Sequence, residues 1–226
     1  KLDSYTEIDP VFDASIAKGI TAIDTAYWNS KLDSSSIQNF VDLTTSQTVA
    51  GAKIFSSDLT VNGMTVGKGG GAIASNAAIG DSALYSNTTG YQNTANGYRA
   101  LYSNTIGYHN TANGMQALYS NTTGRYNTAN GMQALYSNIK GQRNTANGVD
   151  ALYSNTTGNY NTANGMQALY SNTTGRFNTA NGYRALYSNT IGYHNTANGY
   201  DALYSNTTGG GNTANGFQAL YFNTTG

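Results

Sequence analysis

Residues 93–97 read NTANG, and the same five letters return at 110, 127, 144, 161, 178, 195 and 212, at a constant spacing of 17. Extending the alignment outward gives nine gapless units that start at Asn76, Asn93, Asn110, Asn127, Asn144, Asn161, Asn178, Asn195 and Asn212. Their consensus is NTANGxxALYSNTTGxx, and the first unit is the variant NAAIGDSALYSNTTGYQ. One full-length stretch, YRALYSNTIGYHNTANG, occurs identically at 98–114 and 183–199. That offset of five units points to growth by duplication.

A unit this short cannot hold a helix pair or a propeller blade, and it carries no 3.6-residue apolar period. Short extended runs joined by glycine turns fit it. We expect one run around ALYSN and another around NTA, with Gly97 and Gly90 and their equivalents turning the chain at positive φ. The fold class expected is therefore all-β, a parallel β-solenoid (β-roll) of nine 17-residue coils spanning 76–226. With strands about 4.8 Å apart, nine coils make a segment of roughly 43 Å.

Stacking turns each position of the unit into a ladder. Leu101 and its equivalents form an apolar spine. The alanines allow close approach. Asn93 and Asn96 are expected to stack as side-chain amides that donate and accept in turn. Gly97, Gly107 and Tyr102 belong to the same structural set. One Leu, a few Ala and one Tyr per coil bury little, and a column of nine tyrosines needs cover. Three solenoids side by side would provide it, so a homotrimer is expected.

Upstream, residues 37–75 form a β-rich connector. DLTV-NG-MTVG at 58–67 is a hairpin signal, because Asn-Gly accepts the positive φ of a type I′ turn. GKGGG at 67–71 reads as a flexible joint, and it lacks the Ser or Thr that would complete a phosphate loop. Residues 1–36 carry KLDS at 1–4 and again at 31–34, which suggests a stalk repeat of about 30 residues, one copy plus the start of the next. The chain opens on Lys1 without Met, so it reads as a fragment or a processed product.

Composition removes several function classes. Eleven basic residues balance eleven acidic ones, and charged residues are 10% of the chain. No field draws nucleic acid or an anionic membrane. There is no Cys, so disulfides and cysteine-based metal sites or nucleophiles are excluded. No apolar run approaches the length of a membrane span, so no membrane insertion is expected. The two histidines, His109 and His194, occupy one position of duplicated units with no acid recurring beside them. Catalysis and metal binding need converging partners, so no enzyme, metal or cofactor is expected.

The unit resembles the head repeat of YadA-type trimeric autotransporter adhesins, where an NSVAIG-like motif recurs in a left-handed parallel β-roll trimer. NAAIG at 76–80 is the closest match, and the later units put Asn where that family favours Ile. The full unit, with SQTVAGAKIFSSDLTVNGMTVGKGGG at 46–71, also resembles phage-type tail-fibre-domain proteins. The resemblance implies an extracellular trimeric fibre, on a cell-surface appendage, a virion or an injection machine, that attaches to a host or environmental cell-surface receptor such as a glycan.

Recognition, if this segment performs it, is expected where the units disagree. One variable column runs through His109, Tyr126, Arg143, Tyr160, Phe177 and His194; another contains Arg99 and Arg184. Their aromatic, Arg and Gln content suits sugar rings, and free variation suggests exposure or simply lack of constraint. The column Tyr98, Met115, Met132, Val149, Met166, Tyr183, Tyr200, Phe217 reads as packing between chains. A monomeric solenoid with a glycan- or ice-binding face is the alternative. Its threonine stripes lie at Thr88 and Thr94 and their equivalents. The Thr-Thr stripe is interrupted by the Ile139 of NIKG at 138–141, by Ile106 and by Ile191, which an ice face would tolerate poorly.

Overall fold

A computed structural model describes residues 58–61 and 64–226. The stalk repeat expected at 1–36 and most of the connector lie outside the described residues. What is described forms one 11-stranded sheet whose strands follow each other in chain order.

The sheet begins with a hairpin. Strand β1 (Leu59–Val61) pairs antiparallel with β2 (Met64–Gly67) in the register Leu59↔Val66 and Val61↔Met64. That register leaves the two-residue Asn-Gly connection expected from the sequence. Strand β2 then pairs antiparallel with β3 (Ala77–Ile79), so the hairpin caps the first coil. The glycine run between them is not a flexible joint. The Asp58 carboxylate accepts from the backbone of Lys68 at 2.8 Å and of Gly69 at 2.9 Å, and Gly70 N–H donates to Leu84 O at 2.9 Å. A Cβ on Gly70 would sit 2.4 Å from Tyr85 O, so glycine is required because the segment lies against the first coil.

From β3 onward every pairing is parallel and shifted by one repeat unit. The strands are β4 (Thr94–Asn96), β5 (Thr111–Asn113), β6 (Thr128–Asn130), β7 (Thr145–Asn147), β8 (Thr162–Asn164), β9 (Thr179–Asn181), β10 (Thr196–Asn198) and β11 (Thr213–Asn215). From β4 on, Thr meets Thr, Ala meets Ala and Asn meets Asn. The central Ala points inward and is buried; Thr and Asn point outward. The parallel β-solenoid inferred from the period is therefore the fold.

The second extended run, expected around ALYSN, is absent. The chain there is a series of overlapping turns. In the coil 131–138, Ala134 N–H closes on Gly131 O, Tyr136 N–H on Gln133 O, and Asn138 N–H on Leu135 O, at 3.1–3.3 Å. Alternate residues send their N–H groups to other coils instead: Gln133 to Met115 O, Leu135 to Ala151 O and Ser137 to Tyr153 O, at 2.9–3.0 Å. The geometry depends on positive φ at ordinary residues, 56° at Gln133 and 53° at Leu135. The column of Gln92, His109 and Tyr126 does the same at 53–58°. Each such residue costs on the order of 1–2 kcal/mol, and it persists because stacking fixes it from both sides.

Between the strand and the turns lies a thin core. Leu84, Leu101 and their equivalents through Leu203 are fully buried, as are the flanking alanines. This is the predicted spine.

Candidate functional site

The asparagines divide into three columns with three different jobs. Asn93 and its equivalents do not primarily stack amide on amide. Asn93 Nδ2 donates to Gly107 O at 2.9 Å, and its Oδ1 accepts from the backbone N–H of Asn110 at 3.0 Å. The side chain thus replaces a backbone partner at a place where the chain leaves the turns. The second column is the Asn of SNTTG, which the ladder expected from the sequence did not include. Asn104 Nδ2 donates to Asn87 Oδ1 at 2.9 Å and to Gly107 O at 3.0 Å, and the arrangement repeats to Asn223 with the members from Asn104 to Asn206 fully buried. Its only sequence signal was invariance. The third column, on the outer face of the strands, is an amide ladder as expected. It runs from Asn113 to Asn215 with Nδ2···Oδ1 distances of 2.7–2.8 Å, each amide donating to the next coil.

Gly97 and Gly107 are both required, for different reasons. Gly97 has φ 131°, and a Cβ there would lie 2.6 Å from Gly114 O. Gly107 and Gly90 are outside the positive-φ set. A Cβ at Gly107 would lie 2.3 Å from Asn104 Oδ1 and 2.5 Å from Gly124 O, so close approach and not turn geometry demands glycine.

The tyrosines form a continuous stack. Tyr102–Tyr119, Tyr119–Tyr136 and Tyr136–Tyr153 have centroids 5.1–5.2 Å apart and planes within 3–5°. The stack runs from Tyr85 to Tyr221 and is half-buried over most of its length. Burial first, then the neighbouring phenols, pushes Tyr136 and Tyr170 above the usual tyrosine value.

The candidate recognition residues fall on two separate columns. Six come together in one: His109 stacks on Tyr126 at 4.9 Å, the Arg143 guanidinium lies 5.5 Å from the Tyr126 ring and 5.2 Å from Tyr160, and Tyr160, Phe177 and His194 stack at 4.8–4.9 Å. Arg143 also donates to the Tyr160 hydroxyl. These side chains are mostly exposed, but parallel stacking turns ring edges to solvent and covers the faces. The flat platform a sugar ring would need is therefore closed along this column.

Arg99 and Arg184 lie elsewhere, and their column is half-buried or buried over most of its length instead of freely exposed. Arg99 sits 5.0 Å from the Tyr98 ring and 5.5 Å from Tyr102. Arg184 sits over Tyr183 and Tyr204 and makes a bidentate ion pair with Asp201 at 2.8–2.9 Å. That pairing holds the Arg184 guanidinium above its ordinary value. The Arg99 Nε and Asp150 Oδ1 of the same column are buried without partners. Arg99, like Arg184, ties the Tyr102 stack to the neighbouring column of Tyr98, Met115, Met132, Val149, Met166, Tyr183, Tyr200 and Phe217. In this chain that apolar column is mostly exposed.

Two threonine columns also separate. The hydroxyls of Thr105, Thr122 and their equivalents donate to carbonyls of the next coil at 3.1 Å; this is the Thr88 column that Ile139 interrupts. The strand column from Thr94 to Thr213 is unbroken and faces outward.

Among the described residues no cluster of His, Asp and Glu has metal-binding geometry, and no helix is long and apolar enough to cross a membrane. No family model, no curated protein and no solved structure matches the chain.

Proposed function

We propose that this chain is a structural segment of an extracellular homotrimeric fibre, a tail fibre or surface adhesin, that mediates attachment to a cell or other surface. The observation that carries the reading is the face built from the Tyr102 stack and the apolar Tyr98–Met115–Met132 column. It runs along the coils, is bridged by Arg99 and Arg184, and leaves large apolar side chains open to solvent. Contiguous apolar surface of this length calls for a partner, and a repeat of near-identical coils presents the same stripe to a second and third copy. The balanced charge of the chain fits a scaffold role.

Sedimentation velocity on the purified chain tests the assembly. A particle of three chains at micromolar concentration is expected; a monomer at every concentration overturns it. Attachment is tested by pull-down of the trimer on intact cells and on a glycan array.

A second reading has one observation in its favour. The Thr94–Thr213 column and the parallel Asn96–Asn215 column form an uninterrupted outward array on a parallel sheet, with the interruption at Ile139 lying in a different column. A monomeric solenoid that binds ice or an ordered glycan through this face would show thermal hysteresis or glycan retention as a single chain.

A further inference from the structure

Eight coils carry an Asn-Gly pair at the end of the strand, from Asn96-Gly97 to Asn215-Gly216. Asn-Gly is chemically labile, because glycine has no side chain to hinder its backbone nitrogen from attacking the preceding Cγ. The C–N bond to the side-chain nitrogen breaks, ammonia leaves, and a succinimide closes. Water then opens the ring to aspartate or isoaspartate. The net change is Asn plus water to acid plus ammonia, with no oxidant and no other reactant.

The solenoid opposes this reaction in two ways. Each glycine N–H is committed to the carbonyl just before the equivalent glycine of the preceding coil: Gly148 to Asn130 O and Gly165 to Asn147 O, both at 2.8 Å. Gly97 is held the same way, by Ile79 O at 2.8 Å, so this restraint is common to all the pairs. The Asn side chains are held by the amide ladder. Asn147, for example, accepts from Asn130 at 2.8 Å and donates to Asn164 at 2.7 Å, so swinging its Cγ toward Gly148 breaks two hydrogen bonds.

Ladder occupancy is not uniform. The chain of amide bonds begins at Asn113, which donates to Asn130. Asn96 stands before it, exposed, with Ile79 as its partner in the preceding coil. Ile79 offers neither donor nor acceptor in its side chain. The product is tolerated unequally too. An Asp at 147 would remove the Asn147 Nδ2 donor from which Asn164 Oδ1 accepts, and would set a carboxylate inside the ladder. An Asp at 96 faces solvent between Ile79 and Asn113, and no ladder bond to Asn96 is lost.

We infer that Asn96 is a site of spontaneous deamidation in the folded protein, and that the interior Asn-Gly pairs are shielded by the ladder. The solenoid thereby acquires one negative charge beside its capped end as it ages. Asn113, with one ladder bond, and Asn215, which accepts from Asn198 alone, fall between these extremes.

Peptide mapping by mass spectrometry tests this on the full chain, incubated at mildly alkaline pH both native and in denaturant. The readout is the native-to-denatured rate ratio at each site. Two hydrogen bonds of ordinary net strength correspond to about tenfold or more in rate. The ratio at Asn96 is therefore expected to exceed that at Asn130, Asn147 and Asn164 by at least about tenfold. Equal ratios at Asn96 and Asn147 overturn the inference. A second measurement does not depend on the reaction: Asn96→Asp should melt with the parent and Asn147→Asp clearly below it, and equal melting of the two variants overturns the inference as well.

Discussion

At the scale of single residues, the energetics turn on polar groups that have no access to water. Asn121 donates to Asn104 Oδ1 at 2.7 Å and to Gly124 O at 3.1 Å, and accepts from Asn138 at 2.8 Å. Truncation to alanine leaves several buried groups unpaired at about 1–3 kcal/mol each. Asn121→Ala is expected to lose at least about 2 kcal/mol in urea unfolding, more than any exposed Thr→Ala change. The glycines give a sharper comparison. Gly131 and Gly216 share positive φ, at 140° and 124°, but a Cβ at 131 meets Gly148 O at 2.4 Å while one at 216 meets nothing within 4 Å. Gly216→Ala should therefore show the strain of the backbone alone, about 1–3 kcal/mol. Gly131→Ala should cost that plus overpacking of about 1–3 kcal/mol, read as a larger fall in denaturation midpoint.

At the scale of the element, the unit of folding is the coil, because a short strand and its overlapping turns close only against their neighbours. Deleting residues 127–143 joins Tyr126 to Asn144 and preserves every column, since exactly one repeat unit is removed. That variant is expected to keep a cooperative thermal transition, with stability reduced by one coil and its interfaces. Deleting 127–134 shifts Leu, Asn and Gly out of their columns and should abolish the transition seen by circular dichroism. The hairpin belongs to this level as well. Val66 pairs with Ile79, and Asp58 fastens the glycine run, so one open edge of the solenoid is closed by antiparallel strands.

For the whole molecule, the tyrosine stack sets the response to pH. Tyr136 and Tyr170 have folded values above the usual one, so the folded chain favours the neutral phenol. Their contribution is fully present below the unfolded tyrosine value of about 10 and is lost as pH rises through the folded values. The melting temperature should stay level up to about pH 9 and fall above about pH 10. Tyr136→Phe with Tyr170→Phe should shrink the alkaline part of that fall, measured by thermal scans across the range.

The repeat period by itself determined the parallel solenoid, the Leu spine, the in-register Thr, Ala and Asn columns and, with the Asn-Gly pair upstream, the two-residue hairpin. The columns follow from sequence identity between coils, because identical units stack best in identical register. Tertiary structure decided the rest. Leu101 and Arg99 carry no local mark of the positive φ they adopt, and an extended ALYSN followed only from the short unit and its glycine turns; only the neighbouring coils hold the turns in place. The same stacking decided that Asn104 is the buried ladder while Asn93 serves the backbone. It also closed the ring faces of His109, Tyr126, Tyr160 and Phe177, which in the sequence had looked like open platforms. A column is written in the sequence, but the direction in which its side chains face is set by the coils above and below.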